Sequence, residues 1–340
     1  MRLLGRLDEE LSCANSRLFR IVLYANENVS RFLRDTYVLH WSTERPVPQV
    51  TLDFGNGRVV KRTVAGNSVH YVLDAQGRVV DAIAGMYGPV QFEKHLRESL
   101  ELAKRSNDLG DEDAEKAIAK HHLHAVWSLT ATWRKHLARA YEGYGQEYSE
   151  KATLPSLASM YSDPLYASIP ATAVAGLTYS KADTEASTLA LLQPSIRIYD
   201  DFGPWEKVAA KLPTERLDAH SLALLTEKHP RDWSSADAKD LGEEQLKKHV
   251  ARFEGRLTQE EFRNEFMFHG ALHQRMSKPV KLDFASLNEF VYTRLFMTPK
   301  KDSWLGLGST GALTAMADDG LRSGPPLTSI EGRLLDAAPR

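Results

Sequence analysis

The sequence has almost no cysteine and no long apolar run. Cys13 is the single cysteine among 340 residues, so a disulfide within the chain is excluded, and with it the disulfide framework of small secreted domains. No apolar run reaches the roughly 18 to 20 residues of a membrane span, and the charged first ten residues lack the apolar segment of a signal peptide. We therefore expect a soluble chain without a membrane span, cytoplasmic by default, with export as the alternative if the true start lies upstream.

An excess of charge of one sign is also missing. The formal net charge is −2, charged residues make up 26% of the chain and apolar residues 42%. This balance is typical of a globular protein and lacks the basic excess on which binding to nucleic acid or to an anionic membrane depends. We predict no nucleic-acid partner, and the length allows two domains.

The first third of the chain alternates strand and helix patterns. Apolar alternation, turn residues and helical periodicity predict these elements in order: a strand at 2–7, a helix after Cys13, a second helix capped by Asn26 or Asn28, a buried strand at 37–41, a hairpin of 49–54 with 58–63, strands at 69–73 and 78–84, and a helix from Pro89. A helical crossover followed by an antiparallel hairpin and a closing helix predicts an α/β sandwich.

The rest of the chain is predicted to be mainly helical. A polar stretch at 108–113 separates it from the first third, and helical periodicity recurs at 112–150, 181–192, 204–211, 217–228, 243–254, 258–277 and 285–297. Capping boxes at Thr258 with Glu261 and at Ser286 with Glu289 predict two of the helix starts. We place an α/β domain at 1–107, a mainly helical domain at 108–318 and a loosely ordered tail at 319–340.

Cys13 is the first candidate for chemistry, because it directly precedes a helical pattern. A thiol at a helix amino terminus faces unpaired N–H groups that favour the thiolate. Ser16 lies one turn further on and can donate a hydrogen bond to the sulfur, and Arg17 adds positive charge. The alternative is that Cys13 is an ordinary small apolar residue near a helix start. We expect it at the amino terminus of the first helix and at least partly accessible.

The pattern Cys13-x-x-Ser16 before a helix, the run Asp74-x-x-Gly77 between two strands and the closing helix at Pro89 together resemble the thioredoxin superfamily over residues 1–107. The resemblance implies a thioredoxin-like sandwich with its redox site at Cys13. This sequence departs from the pattern of the superfamily in two ways. Ser16 replaces the second cysteine of the family's redox pair, so no disulfide can be stored within the chain. The loop where the family has a cis-proline facing the sulfur falls at Asn67 and Ser68, without proline.

A stripe of acidic and histidine residues is the second candidate. Glu261, Glu265, His269 and His273 are each four residues apart, so they share one face of the predicted helix. Carboxylates and imidazoles at this spacing can bind a metal. The alternative is the solvated face of a helix whose other face is aromatic, and no His-Glu-x-x-His or Cys-x-x-Cys pattern supports a metal. We predict no tightly held structural metal, with Glu265, His269 and His273 as the best candidates for one.

Two functions of different classes follow. The first is a monothiol redox protein, in which Cys13, Ser16 and Arg17 form the site and a protein thiol or disulfide is the partner. The second is a non-catalytic thioredoxin-like scaffold whose helical region binds a partner or ligand. Neither requires a cofactor, and we predict none. A histidine-dependent metal or haem protein is a third, weaker alternative.

Overall fold

The computed structural model describes residues 1–140, 142, 208–228, 231–232, 239–240, 242–278, 282–296, 298, 300 and 315–317. The helix predicted at 181–192 and the tail predicted at 319–340 lie outside these described residues. No described helix combines the length and the apolar character needed to cross a membrane.

Strands and helices alternate in the first third, as the sequence predicts. The elements are β1 (Arg2–Leu4), α1 (Ala14–Leu18) with a π-helical turn at Phe19–Leu23, α2 (Glu27–Thr36), β2 (Ser42–Arg45), β3 (Gln49–Asp53), β4 (Val59–Thr63), β5 (Ser68–Leu73), β6 (Val79–Ala84) and α3 (Pro89–Asn107). Asn26 caps α2, with its side-chain oxygen accepting from the amides of Asn28 and Val29.

Four of these strands form one mixed sheet in the order β2-β1-β5-β6. Strand β1 is parallel to β2, with α1 and α2 crossing between them, and it is antiparallel to β5, where Leu3 lies opposite Ser68. Strands β5 and β6 are antiparallel, and β3 and β4 form a separate two-stranded hairpin. The amino-terminal region is therefore a mixed α/β structure.

The prediction of a strand at 37–41 is wrong. These residues are irregular, and the strand forms instead at Ser42–Arg45, where backbone groups pair with β1. Val38 is 100% exposed, although the sequence pattern treated it as buried. Tyr37 instead packs back on α3, donating its hydroxyl to the Leu96 carbonyl at 2.5 Å. An apolar run forms a buried strand only where it can pair with a neighbouring strand. Here the chain lies alongside β1 only from Ser42 onward.

Beyond α3 the described elements are mainly helical, as predicted. They are α4 (Asp111–Ala140), α5 (Ala219–Glu227), a two-residue strand pair β7 (Arg231–Asp232) and β8 (Lys239–Asp240), α6 (Glu243–Asn264), a π-helical turn at Glu265–His269, α7 (Gly270–Met276) and α8 (Phe284–Phe290) with a π-helical turn at Val291–Leu295. Helices α6 and α7 run on through the π turn, so Glu243 to Met276 is one continuous helical segment.

Neither predicted capping box starts a helix. Thr258 lies inside α6, where its hydroxyl donates to the Glu254 carbonyl four residues back. Helix α8 begins after Asp283, whose carboxylate accepts from the Ser286 amide. A Ser or Thr pattern acts as a cap only where the chain enters the helix, because inside a helix the hydroxyl bonds to the preceding turn.

Two apolar cores each combine residues from before and after position 107. One joins Val69, Ala82 and Ala84 of the sheet to residues of α4, α6, α7 and α8. The other joins the π turn after α1 to α3, with Ile118 and Leu257 from the helical region. All six residues of β6 are buried. Strand β6 is consequently covered on both faces, and its contacts include α3 and the π turn at 265–269.

Candidate functional site

Cys13 occupies the N-cap of α1, as predicted. Its Sγ accepts from the Ser16 amide at 3.4 Å and lies 2.9 Å from Ser16 Oγ. Ser68 Oγ, at the start of β5, is 3.1 Å from the same sulfur and 3.2 Å from Ser16 Oγ. One thiol and two hydroxyls therefore form a closed group of hydrogen-bonding atoms.

The loop before β5 lies directly against the cysteine. Asn15 donates its side-chain amide to Asn67 Oδ1 at 2.8 Å, which holds this loop to α1. The peptide bonds of the described residues are all trans. Ser68 therefore places its hydroxyl at the sulfur, and Asn67 holds the loop that carries it against α1.

Arg17 is placed beside the segment that leads into Cys13. Its Nη1 donates to the Ser12 carbonyl and to Thr63 Oγ1, both at 2.7 Å. Thr63 also donates to the Ser12 carbonyl, so β4 and α1 are tied together at this point. The hydrogen bonds of Arg17 thus position the backbone just before the thiol.

The expectation that Cys13 is partly accessible is wrong. The residue is 0% exposed. It belongs to an apolar core that includes Val47 and Val69 and also Tyr292, from the π turn after α8. Tyr292 lies nearly 280 positions away in the sequence but belongs to the same core, and a pattern around position 13 holds no information about it.

We expect Gly66→Ala to destabilise the protein by roughly 1 to 3 kcal/mol, because added atoms in a packed core force backbone shifts. A Cβ at Gly66 would lie 2.2 Å from Cys13 Cβ and 3.0 Å from Val47 Cγ2. Chemical denaturation measures the change. Gly255→Ala is the matched control, since a Cβ there meets nothing and the helix should gain about 0.5 to 1 kcal/mol. Equal effects of the two substitutions would contradict the packing described for this loop.

A second group of polar residues lies between the sheet and the helical region. His269 stands between two carboxylates: its Nε2 is 3.1 Å from Asp81 Oδ1, and its Nδ1 is 3.4 Å from Glu265 Oε2. His95 of α3 brings its Nε2 to 2.8 Å from Glu265 Oε2. Strand β6, helix α3 and the π turn each contribute to this cluster, which we call the histidine–carboxylate cluster.

His273 pairs with a different partner. Its Nδ1 is 2.7 Å from Nδ1 of His122 on α4, and His122 Nε2 lies 2.9 Å from the Val80 carbonyl. A carbonyl can only accept, so His122 Nε2 carries a proton and donates it to Val80. Because burial lowers the pKa of both imidazoles, the pair is neutral, and His273 donates to His122.

The interpretation of the stripe as a solvated face is wrong. His269 is 1% exposed and His273 is also buried. Burial by itself lowers the pKa of His269, but the charges and hydrogen bonds of Asp81 and Glu265 outweigh it and raise that pKa to about 10. Burial raises the pKa of Asp81, yet the His269 charge holds the pKa of Asp81 well below its usual value. The cluster therefore contains a buried imidazolium between carboxylates.

A pocket of about 880 Å³ opens beside this cluster, and Asp81, His95, Glu265, His269 and His273 are among its lining residues. Glu261, the first residue of the stripe, also lines it and accepts from the Gly88 amide at 2.7 Å. Burial, with Glu215 nearby, raises the pKa of Glu261 to about 8.

The sequence interpretation did not connect Asp81, His95 and His122 with the stripe. They lie on β6, α3 and α4, so no fixed spacing connects them to one another or to the stripe. The only local signal is a polar residue on an otherwise buried face, as at His95 in the apolar face of α3. Such a signal marks a residue that needs a partner without identifying that partner.

Comparison with protein-family models, with curated proteins and with solved structures finds no match to this chain.

Proposed function

We propose that residues 1–107 adopt a thioredoxin-like fold with a single-cysteine redox site. The strand order β2-β1-β5-β6 supports this, since it combines one parallel pair joined through helices with an antiparallel hairpin and a closing helix. The position of Cys13 also supports it. The residue stands at the start of the helix after β1 and faces the loop before β5, where the superfamily carries its redox cysteine and cis-proline.

The observation that carries the redox proposal is the hydrogen bonding of the sulfur. The Ser16 amide donates to Sγ, and the hydroxyls of Ser16 and Ser68 lie within hydrogen-bonding distance of it, where both can donate to a thiolate. Donors aimed at a group favour its charged form, and the thiolate is the reactive form of cysteine. The thiolate of Cys13 attacks one sulfur of a partner disulfide, forming a mixed disulfide and releasing the other sulfur as a thiolate. An external thiol must resolve the product, because Ser16 cannot.

The second candidate is the non-catalytic scaffold, and the complete burial of Cys13 favours it. An enclosed thiol meets a protein disulfide only after the covering residues move. In this alternative Cys13 packs as a small apolar residue, and the domain serves to hold the helical region, with its pocket, in place.

Two measurements on the full chain separate these functions. The ultraviolet absorbance of the thiolate, taken as the difference between wild type and Cys13→Ser, gives the thiol pKa without needing access to it. The redox proposal expects a pKa below the ~8.5 of a free cysteine. Ser16→Ala and Ser68→Ala should each raise the thiol pKa, since each removes a hydroxyl that can donate a hydrogen bond to the thiolate.

Alkylation by iodoacetamide in native buffer then measures access, with unfolded protein as the reference. A thiol that reacts in the folded state and forms a mixed disulfide with a small aromatic disulfide supports the redox function. A thiol with an unshifted or raised pKa, which reacts only when the chain unfolds, contradicts it and leaves the scaffold.

A further inference from the structure

We propose that His95, Glu265 and His269 bind a divalent transition-metal ion, zinc or iron(II) by the class of their ligand atoms. This inference is independent of Cys13 and of the redox proposal. The three ligand atoms come from α3 and from the π turn after α6, and they all lie within 4.8 Å of one another. The two histidines of the stripe are buried and Glu265 is only partly exposed, so the interpretation of the stripe as a solvated face no longer argues against a metal.

The ligand set has the composition of known metal sites. It offers two imidazole nitrogens and one carboxylate oxygen: His95 Nε2, His269 Nδ1 and Glu265 Oε2. The ion replaces the Nδ1 proton of the His269 imidazolium, which is released to solvent, and the ring keeps its Nε2 proton for Asp81. Two histidines and one carboxylate are the protein ligands of many catalytic zinc sites and of non-haem iron(II) sites. A calcium or magnesium ion prefers oxygen ligands, and two imidazoles therefore select against both.

Asp81 orients one of the ligands. It accepts from His269 Nε2, which fixes the ring with Nδ1 toward Glu265 and His95. Ser99 Oγ holds the other oxygen of Asp81 at 3.0 Å. A carboxylate that binds the far nitrogen of a metal-ligating histidine is a frequent support for such ligands. Asp81 and Glu265 together bring two negative charges, which matches a divalent cation.

His95 presents the same ring nitrogen to the carboxylate. Its Nε2 lies 2.8 Å from Glu265 Oε2 and 3.0 Å from the Gln91 side-chain nitrogen. An ion bound by Nε2 and Oε2 takes the place of the direct hydrogen bond between them.

The site keeps open positions toward the pocket. His95, Glu265 and His269 all line the cavity of about 880 Å³, and the Glu265 side chain is 16% exposed. Three protein ligands leave at least one position for water or a small molecule, which is the arrangement of catalytic rather than structural sites. The neighbouring group of Asp81, His122 and His273 is fully buried, and His122 does not line the pocket, so we assign the ion to the first group.

Titration of the chelator-treated full chain with Co²⁺ tests the site, because bound Co²⁺ has a visible absorption spectrum that depends on its ligands. We expect one Co²⁺ per chain at this site, displaced by Zn²⁺. Glu265→Gln and His95→Gln should weaken binding more than 100-fold, and Asp81→Asn by roughly 10- to 100-fold. His124→Gln is the matched control, since His124 lines the same pocket outside the triad, and it should bind as wild type does.

Absence of Co²⁺ binding overturns the proposal, and so does equal binding by the wild type and the Glu265 and His95 variants, which places the ion on other histidines. Circular dichroism checks that each variant folds. If both ligand variants fail to fold, X-ray absorption of the Co²⁺-loaded wild type replaces them. Two imidazoles per ion are then expected, and a spectrum without imidazole ligands rejects the site.

Discussion

Replacing Asp81 by leucine is expected to destabilise the metal-free protein by about 3 kcal/mol. Asp81 accepts from His269 Nε2 and from Ser99 Oγ, and its side chain is almost fully enclosed. Removing it leaves the buried His269 imidazolium with Glu265 as its remaining carboxylate partner. Breaking a buried ion pair by deleting one partner typically costs about 3 to 5 kcal/mol, because the other charge stays desolvated. Urea denaturation in the presence of a chelator measures the change.

A double-mutant cycle is the control for the predicted effect of Asp81→Leu. Asp81→Leu with His269→Leu removes both charges, so the pair of substitutions should cost clearly less than the sum of the single ones. Asp113→Leu, at an exposed position in the first turn of α4, should change stability by no more than about 0.5 kcal/mol. Additive single effects at Asp81 and His269 would show that the two side chains do not interact as described.

A fragment of residues 1–107 is expected to lose cooperative folding. In the full chain β6 is buried on both faces, and one of the cores contains Ala82 and Ala84 together with Phe266 and Leu272. The fragment keeps α3 and loses α4, α6 and α7, so the face that they cover becomes exposed. An exposed apolar face of this kind favours association or a loosely packed state.

Binding of a hydrophobic dye, amide dispersion in NMR spectra and thermal unfolding measure this outcome. The fragment 1–140 is the matched comparison, since it restores α4 and with it Ile118 and Trp133. We expect it to bind less dye than 1–107 and more than the full chain. A dispersed spectrum and a cooperative transition for 1–107 alone would show that it folds independently of the helical region.

The amino-terminal elements could be predicted because their signals are local. The hairpin around Gly55–Gly57, the turn at Asp74–Gly77 and the helix from Pro89 each depend on residues within a few positions of one another. The prediction of a strand at 37–41 was wrong because the position of this strand is not determined by local residues. Which extended residues become β2 depends on where β1 lies, and β1 is 40 positions away at the pair of Arg2 and Ser42.

The features of the two candidate sites also separate into those that the local sequence determines and those that depend on tertiary packing. The sequence by itself determined that Cys13 precedes a helix, that Ser16 follows it by one turn and that Glu265, His269 and His273 share a helical face. Only the tertiary structure decided that Cys13 is enclosed, that His273 pairs with His122 and that His95 and Asp81 meet His269. Asp81 and His269 are 188 positions apart. Periodicity reports which face of an element is polar, but the partner of a buried polar group is set by how distant elements pack.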